Sequence, residues 1–201
     1  MKKVRGKQRN RDFQRKQRFE KAYEVTHILC ESEKTEPNYL KKIKKMMRLR
    51  HVEFKIRRRS GMTPKKLIEC AKRIKNEDNT AIIWLVFDCD HYEYFDECIQ
   101  KAKGKYKVAY SNPCIEFWFL LHFKYSTADI TCSEATKQLK EKIPNYDKTT
   151  LGDFDLLWNN LNTALQHAMK LREHHENIGN KDTTNPSTTV DKLVKYLLEQ
   201  K

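Results

Sequence analysis

No stretch of this chain approaches the roughly 20 consecutive apolar residues that a membrane-spanning helix requires, so insertion in a membrane is not expected. The opening segment, MKKVRGKQRNRDFQRKQRFEK, lacks the apolar centre of a secretory signal. Cysteines are present (Cys30, Cys70, Cys89, Cys98, Cys114, Cys132), but without a C-x-x-C pair or a Cys/His cluster at zinc spacing. Several lie inside apolar runs, where a reduced thiol behaves as a small hydrophobe. These absences together predict a cytoplasmic protein without a structural zinc. G-x-S-x-G, a P-loop and G-x-G-x-x-G are missing too. Acyl transfer from a nucleophile elbow, ATP hydrolysis by this chain and dinucleotide binding therefore lose their usual signatures. There is no internal repeat.

What the chain has in excess is positive charge. Over 201 residues the net charge is +14, with 34% of residues charged. That length suits one α/β domain with an added helical layer. The charge implies a polyanionic partner, nucleic acid first and an anionic lipid surface second. Residues 1–23 form a basic arm carrying Lys2, Lys3, Arg5, Lys7, Arg9, Arg11, Arg15, Lys16, Arg18 and Lys21 against only Asp12 and Glu20. With almost nothing to bury, the arm is expected to be disordered alone or weakly helical. It is either a solubility tail or an attachment to phosphate backbones.

Residues 24–125 read as an α/β core and residues 126–201 as a helical extension packed on it. The core is organised around residues 81–91, AIIWLVFDCDH. An uncharged apolar run, too short to span a membrane, is the pattern of a strand buried on both faces of a parallel sheet. Such sheets put their chemistry beyond the carboxyl ends of the strands, where Asp88 and Asp90 stand. Alternation sends Cys89 the other way and leaves the two carboxylates on one face if extended geometry persists. Two such carboxylates repel unless a cation lies between them, and hard oxygen ligands suit Mg²⁺ or Mn²⁺. Alone, the pair is equally a solvated strand end with Asp90 capping the next helix.

Residues 24–30 (EVTHILC) give a first strand ending at Glu31. An acidic turn with Lys34 and Glu36 follows, opening a helix that Thr35 is placed to cap and that runs to about residue 50. Lys34 lies where a phosphate would meet helix-terminal amides. If the strands ending at Glu31 and Asp88 are neighbours, both carboxylates face one pocket. Residues 52–58 alternate as a second strand, and Thr63-Pro64 opens a helix to about residue 75. Its first turn carries Lys65 and Lys66 against the macrodipole preference, which suggests either a solvated face or a nearby anion. A helix over about 92–103 and a short strand over 106–110 complete the alternation, predicting right-handed crossovers.

Residues 111–123, SNPCIEFWFLLHF, predict a buried helix started by Pro113. Its lone acid, Glu116, is either a structural cap or a member of the site, and a buried carboxylate needs a cation or several hydrogen bonds. His122 reads as a core histidine. Helices are expected over 133–143, about 153–173, and from near Ser187 to 198, with 144–151 and 177–186 as connectors. His167, Glu173, His174 and His175 read as a solvated face and not as a metal cluster.

The segments CESEKTEPNYL, VFDCDHY, SNPCIEFWFLLHF and NPSTTVDKLV, taken together and in this order, resemble the RloB family, proteins of bacterial restriction-modification loci and abortive-infection systems. The resemblance covers about residues 25–198. It implies a Toprim-like, Rossmann-like fold with a mostly parallel sheet of about four strands. It also implies a Mg²⁺ site for phosphodiester chemistry, with Glu31 in the glutamate role and Asp88 and Asp90 as the acidic pair. Lys34, Glu36 and Glu116 are accessory candidates. A tyrosine-bearing partner domain for topoisomerase chemistry is not marked, so the implied activity is that of a nuclease acting on DNA or RNA, tRNA included. A separately encoded AAA or ABC-type ATPase is the implied partner. The competing reading is a non-catalytic nucleic-acid-binding or regulatory module. A basic binding module, however, has no use for three acids that repel phosphate.

Overall fold

The computed structural model describes residues 25–49, 62–89 and 92–200. The basic arm, the strand expected over 52–58, and Asp90 lie outside the described residues. The elements are β1 (Thr26–Cys30), α1 (Thr35–Met47), α2 (Pro64–Glu77), β2 (Ile82–Asp88), α3 (Phe95–Ala102), β3 (Lys107–Asn112), α4 (Ile115–Leu120), α5 (Cys132–Lys142), α6 (Phe154–Asn159), α7 (Leu161–Asn177), β4 (Ser187–Thr188) and α8 (Val190–Glu199).

The described sheet has the order β1-β2-β3-β4. β1 pairs with β2 in parallel, with Cys30 opposite Val86. β2 pairs with β3 in parallel, with Asp88 opposite Ser111. β4 runs antiparallel to β3, with Ser111 opposite Thr188. This is an open, mostly parallel, Rossmann-like α/β sheet flanked by helices, as the alternation of elements predicts. Its fourth strand, however, is β4, within a stretch whose sequence reads as a helix start.

Period-two alternation divides the core between the two faces of the sheet. Ile28, Cys30, Trp84 and Val86 join one large cluster with Leu40 and Ile43 of α1, Trp118 of α4, Leu139 of α5, Ala164 of α7 and Leu193 of α8. Leu29, Ile83, Leu85 and Phe87 point the other way, onto Leu67 and Ala71 of α2 and Phe95 of α3. Cys89 packs with this second cluster, as alternation from Asp88 requires. The larger cluster runs from β1 through α8, so residues 126–200 share the core of the strands.

Several local expectations are corrected. The residue capping α1 is Lys34, without a side-chain cap, and Thr35 is the first helical residue. Asn112–Pro113 is cis, and Cys114 is the N-cap of α4, so Pro113 precedes the helix instead of starting it. α5 opens on a capping box between Thr131 and Glu134, one turn's worth of pairing that fixes its start at Cys132. The helix expected over 153–173 is two, α6 and α7, meeting at Asn160. His175 is buried, its Nε2 2.9 Å from the Pro186 carbonyl oxygen, and is therefore part of the interior and not a solvated face. His122 is the core histidine expected: its Nδ1 lies 3.1 Å from the Trp118 carbonyl oxygen, and burial pushes its pKa down to about 4. Among the described residues no helix is long and apolar enough to cross a membrane.

Candidate functional site

Because β1 and β2 are parallel neighbours, their carboxyl ends lie side by side, and the residues that leave them meet. The Glu31 N–H donates to the Val86 carbonyl at 2.9 Å, extending the pairing one step past the strand. Oε2 of Glu31 accepts the Asp88 N–H at 3.3 Å, and Oε1 accepts the Tyr92 hydroxyl at 2.6 Å. Asp88 is fixed from a third element: its Oδ2 accepts the Ile115 N–H of α4 at 3.1 Å. On the other flank, the Cys89 N–H donates to Ser111 O at 2.8 Å, so β3 holds the acidic end of β2 in place.

These residues open onto a cleft of about 400 Å³ lined by Glu31, Ser32, Glu33, Lys34, Thr35, Glu36, Asp88, Cys114, Ile115, Glu116, Cys132 and Lys148. Glu36 and Glu116 are buried in its wall. Glu36 accepts a hydrogen bond from the Ser32 hydroxyl. Glu116 Oε1 accepts one from the Tyr146 hydroxyl at 2.9 Å and lies 3.3 Å from Lys148 Nζ.

Crowding of acids has an electrostatic signature. Burial, and then the charges of Glu36, Glu116 and Glu31, hold the Asp88 carboxyl well above the ordinary aspartate range against the opposing Ile115 amide. Burial, reinforced by Glu116, likewise raises Glu36, outweighing its Ser32 bond, its own amide and Lys148. Burial alone would lower Lys148, but Glu116 more than offsets it and the ammonium is stabilised. Burial and Glu116 also push the Tyr146 phenol up, so it remains a donor. The cleft therefore carries more negative charge than its own cations balance, the condition under which carboxylates hold a proton or an external cation.

The structure brings Glu31, Asp88, Lys34, Glu36 and Glu116 into one cleft. Asp90 and the arm cations Lys2, Lys3, Arg5, Arg9, Arg11, Arg15, Lys16 and Arg18 lie outside the described residues. Lys65 and Lys66 do not line the cleft. Lys65 sits with Nζ 4.0 Å from the Tyr94 ring centroid, and the Lys66 amide donates to the Thr63 cap at 3.4 Å. Both side chains are exposed.

Sequence reasoning missed Tyr92, Tyr146 and Lys148. The latter two belong to what reads as a connector, yet it is a firmly built loop. Asp147 Oδ1 accepts the Thr149 and Thr150 amides at 2.8 and 3.0 Å, and Asn38 of α1 donates to Thr149 O at 2.7 Å. Gly152 closes the loop at φ 59°, where a Cβ would fall 2.8 Å from Asn145 O, so no larger residue fits without moving backbone. The Asp-x-Thr-Thr pattern followed by glycine was the available signal for a fixed turn.

The donor set decides which ions suit the cleft. Carboxylate oxygens from β1, β2, α1 and α4 are hard ligands, matched to Mg²⁺ or Mn²⁺ and not to thiophilic metals. Among the described residues no three of His, Cys, Asp and Glu already converge closely enough to grip an ion. Glu31 and Asp88, linked through the Asp88 amide, are the pair best placed to start such a set.

Comparison with curated proteins and with solved structures finds no match. Residues 26–197 match the family described as RloB-like protein, and the chain belongs to that family.

Proposed function

We propose that this chain is a Mg²⁺-dependent nuclease of the Toprim type, an effector of bacterial anti-phage defence governed by a separately encoded ATPase and cleaving phosphodiester bonds in DNA or RNA, tRNA included. The observation that carries the reading is the meeting of Glu31 and Asp88 at the ends of adjacent parallel strands, in a cleft that also holds Glu36 and Glu116. The defence role and the ATPase rest on the family resemblance.

Glu31, Asp88 and Asp90 are the residues assigned to hold the metal. Bound there, Mg²⁺ would offset their charge and polarise a phosphodiester for attack by water. Tyr92 orients Glu31 through its 2.6 Å hydrogen bond, and the Ile115 amide keeps Asp88 aimed into the cleft. Lys34 and Lys148 line the same cleft and offer positive charge to phosphate oxygens. The basic arm supplies sequence-independent attachment to the rest of the strand.

The test is cleavage of defined DNA and RNA substrates by the full chain, alone and with its ATPase, in Mg²⁺ or Mn²⁺. Glu31→Gln and Asp88→Asn are each expected to reduce cleavage by more than about 100-fold while circular dichroism stays native. Full cleavage by both variants would sink the reading. A non-catalytic nucleic-acid-binding module is favoured by one observation, the lack of a converged three-ligand group among the described residues. That reading predicts undiminished nucleic-acid binding and no cleavage under any of these conditions.

A further inference from the structure

A second recess follows β3 and shares no lining residue with the carboxylate cleft. β4 pairs only with Ser111 and Asn112, so among the described residues the stretch 107–110 has no strand on that side. Thr189 stands in for one: its Oγ1 accepts the Tyr110 N–H at 3.0 Å and donates to the Val108 carbonyl at 3.2 Å. Tyr106, Val108 and Tyr110 share one face by alternation and pack on the smaller core cluster. Tyr110 is buried there, but Tyr106 and Val108 are only half-buried. They floor a hollow of about 640 Å³ between α3 and residues 181–183.

The outer wall of that hollow is firmly built. The Tyr110 hydroxyl donates to Asp182 O at 2.7 Å, Asn112 Nδ2 donates to Thr183 O at 2.8 Å, and Lys181 Nζ meets Asp96 at 3.0 Å. Hydrogen bonds from Thr183 and Lys181 hold Asp96 below the usual carboxylate range, so this acid is already satisfied within the wall. A smaller hollow of about 360 Å³ adjoins the first at Gly104 and Tyr106, and Lys75, Lys105 and Lys107 line it without any acid. Six lysines thus border the trough against two aspartates, Asp96 and Asp182, which makes it positive. Lys103, Lys105 and Lys192 are exposed, and among the described residues no carboxylate lies within ion-pair distance of them.

Two features select the occupant. Cations in series along a groove call for a polyanion, and a half-buried aromatic floor calls for a flat ring. An acidic protein surface or a lipid headgroup layer supplies charge without rings, and a duplex keeps its rings stacked inside. Unpaired nucleotides supply both. We propose that this trough binds single-stranded nucleic acid, with a base stacked on Tyr106 and the flanking phosphates on Lys103, Lys105 and Lys192. The trough follows β3, whose six residues span about 20 Å. It runs toward the carboxyl end of β3, where Ser111 stands beside Asp88. That a strand held here is the one delivered to the carboxylates rests on the nuclease reading; the binding itself does not.

The experiment is fluorescence anisotropy with the full chain across a range of salt concentrations. Its probes are a labelled single strand of about 12 nucleotides, the same strand without bases, and a duplex. Tyr106→Ala should weaken the single strand about tenfold and leave the abasic strand and the duplex within about twofold, with Tyr106→Phe close to wild type. Lys103→Gln/Lys192→Gln should weaken the single strand and lower its salt slope by about 1.4, at about 0.7 per lysine. The charge-matched pair Lys137→Gln/Lys140→Gln, on the exposed face of α5, should leave that slope unchanged. A strand carrying 5-iodouracil should photo-cross-link to Tyr106. Because Tyr106 touches the core, the surface lysine pair and the cross-link decide the matter if Tyr106→Ala does not fold. Single-strand binding that neither the tyrosine nor the lysine variants move, equal losses on all three probes, or cross-links confined to other residues each overturn the proposal. Binding through the trough by a chain that cuts nothing leaves this inference standing and removes the nuclease reading. Cleavage by a chain whose binding ignores the trough does the reverse.

Discussion

Asp191 and Glu36 are almost equally hidden from water, at 0% and 2% exposure, yet their surroundings are opposite in kind. Asp191 of α8 meets Arg172 of α7 in a two-pronged pair at 2.7 and 2.8 Å, and the same guanidinium reaches Thr188 O at 3.3 Å. Glu36 has the Ser32 hydroxyl and its own amide, with Glu116 close enough to repel it. The first arrangement completes a charge and locks α7 to the C-terminal segment. The second leaves a charge incomplete. A buried acid that meets a matching cation reads as architecture; several that meet each other mark a place adapted to something that comes from outside.

The largest effect expected from breaking this contrast is on the architectural side. Arg172→Met leaves buried Asp191 with only Lys195, 3.9 Å away, and should cost about 3 kcal/mol in urea unfolding. An unchanged midpoint would mean that Asp191 is solvated in solution.

On the other side the sign reverses. Glu36→Gln removes a charge that the fold disfavours, and should raise stability near neutral pH by about 1 kcal/mol. The pH dependence follows from the raised carboxyls. Glu36 and Asp88 keep their protons in the folded state to higher pH than in the unfolded chain, where carboxyls titrate near 4. The folded state then binds more protons over that interval, so stability falls as pH rises through it. Their contribution is fully present below the unfolded value and lost above the folded one. Urea midpoints measured from pH 4 to pH 8 should decline with pH in the wild type and decline less steeply in Glu36→Gln, where Asp88 still contributes; a rising profile that the variant leaves unchanged would contradict the assignment.

The smallest effect serves as control. Lys181 pairs with Asp96 at 3.0 Å on the surface, with side chains 79% and 48% exposed. Lys181→Ala should move stability by no more than about 0.5 kcal/mol. A larger change would show that ion-pair geometry alone, without burial, governs this protein.

What was legible in the sequence follows from the range over which each signal acts. β2 is seven residues of nearly pure apolar sequence ending in an acid, so its burial and the exit of Asp88 were both readable locally. Glu31 was readable for the same reason, but adjacency of the two strands stayed conditional in the sequence, where a further strand is expected over 52–58, and it is the parallel pairing of β1 with β2 that supplies it. β4 was not readable, because two residues, Ser187 and Thr188, become a strand only through pairing with β3, and Pro-Ser-Thr-Thr imitates a helix cap. Tyr146 and Lys148 reach Glu116 from 30 and 32 positions along the chain, and no local pattern encodes such a meeting. The Thr131-x-x-Glu134 box was available as a local pattern, and it sets the start of α5 at Cys132 instead of the expected 133.

The antiparallel edge strand also bears on the order in which the molecule can be assembled. Ser111 is flanked by Asp88 on one side and Thr188 on the other, so the last place in the sheet to be filled borders the strand that props up the acidic end of β2. During synthesis both cleft-forming strands leave the ribosome long before residues 187–188 arrive. A nascent or prematurely terminated chain ending before β4 would carry Glu31 and Asp88 without the edge, and without Leu193, Val194 and Leu197 to seal the core beneath it. That order of emergence leaves the carboxylate cleft without its edge strand until residue 188 is in place.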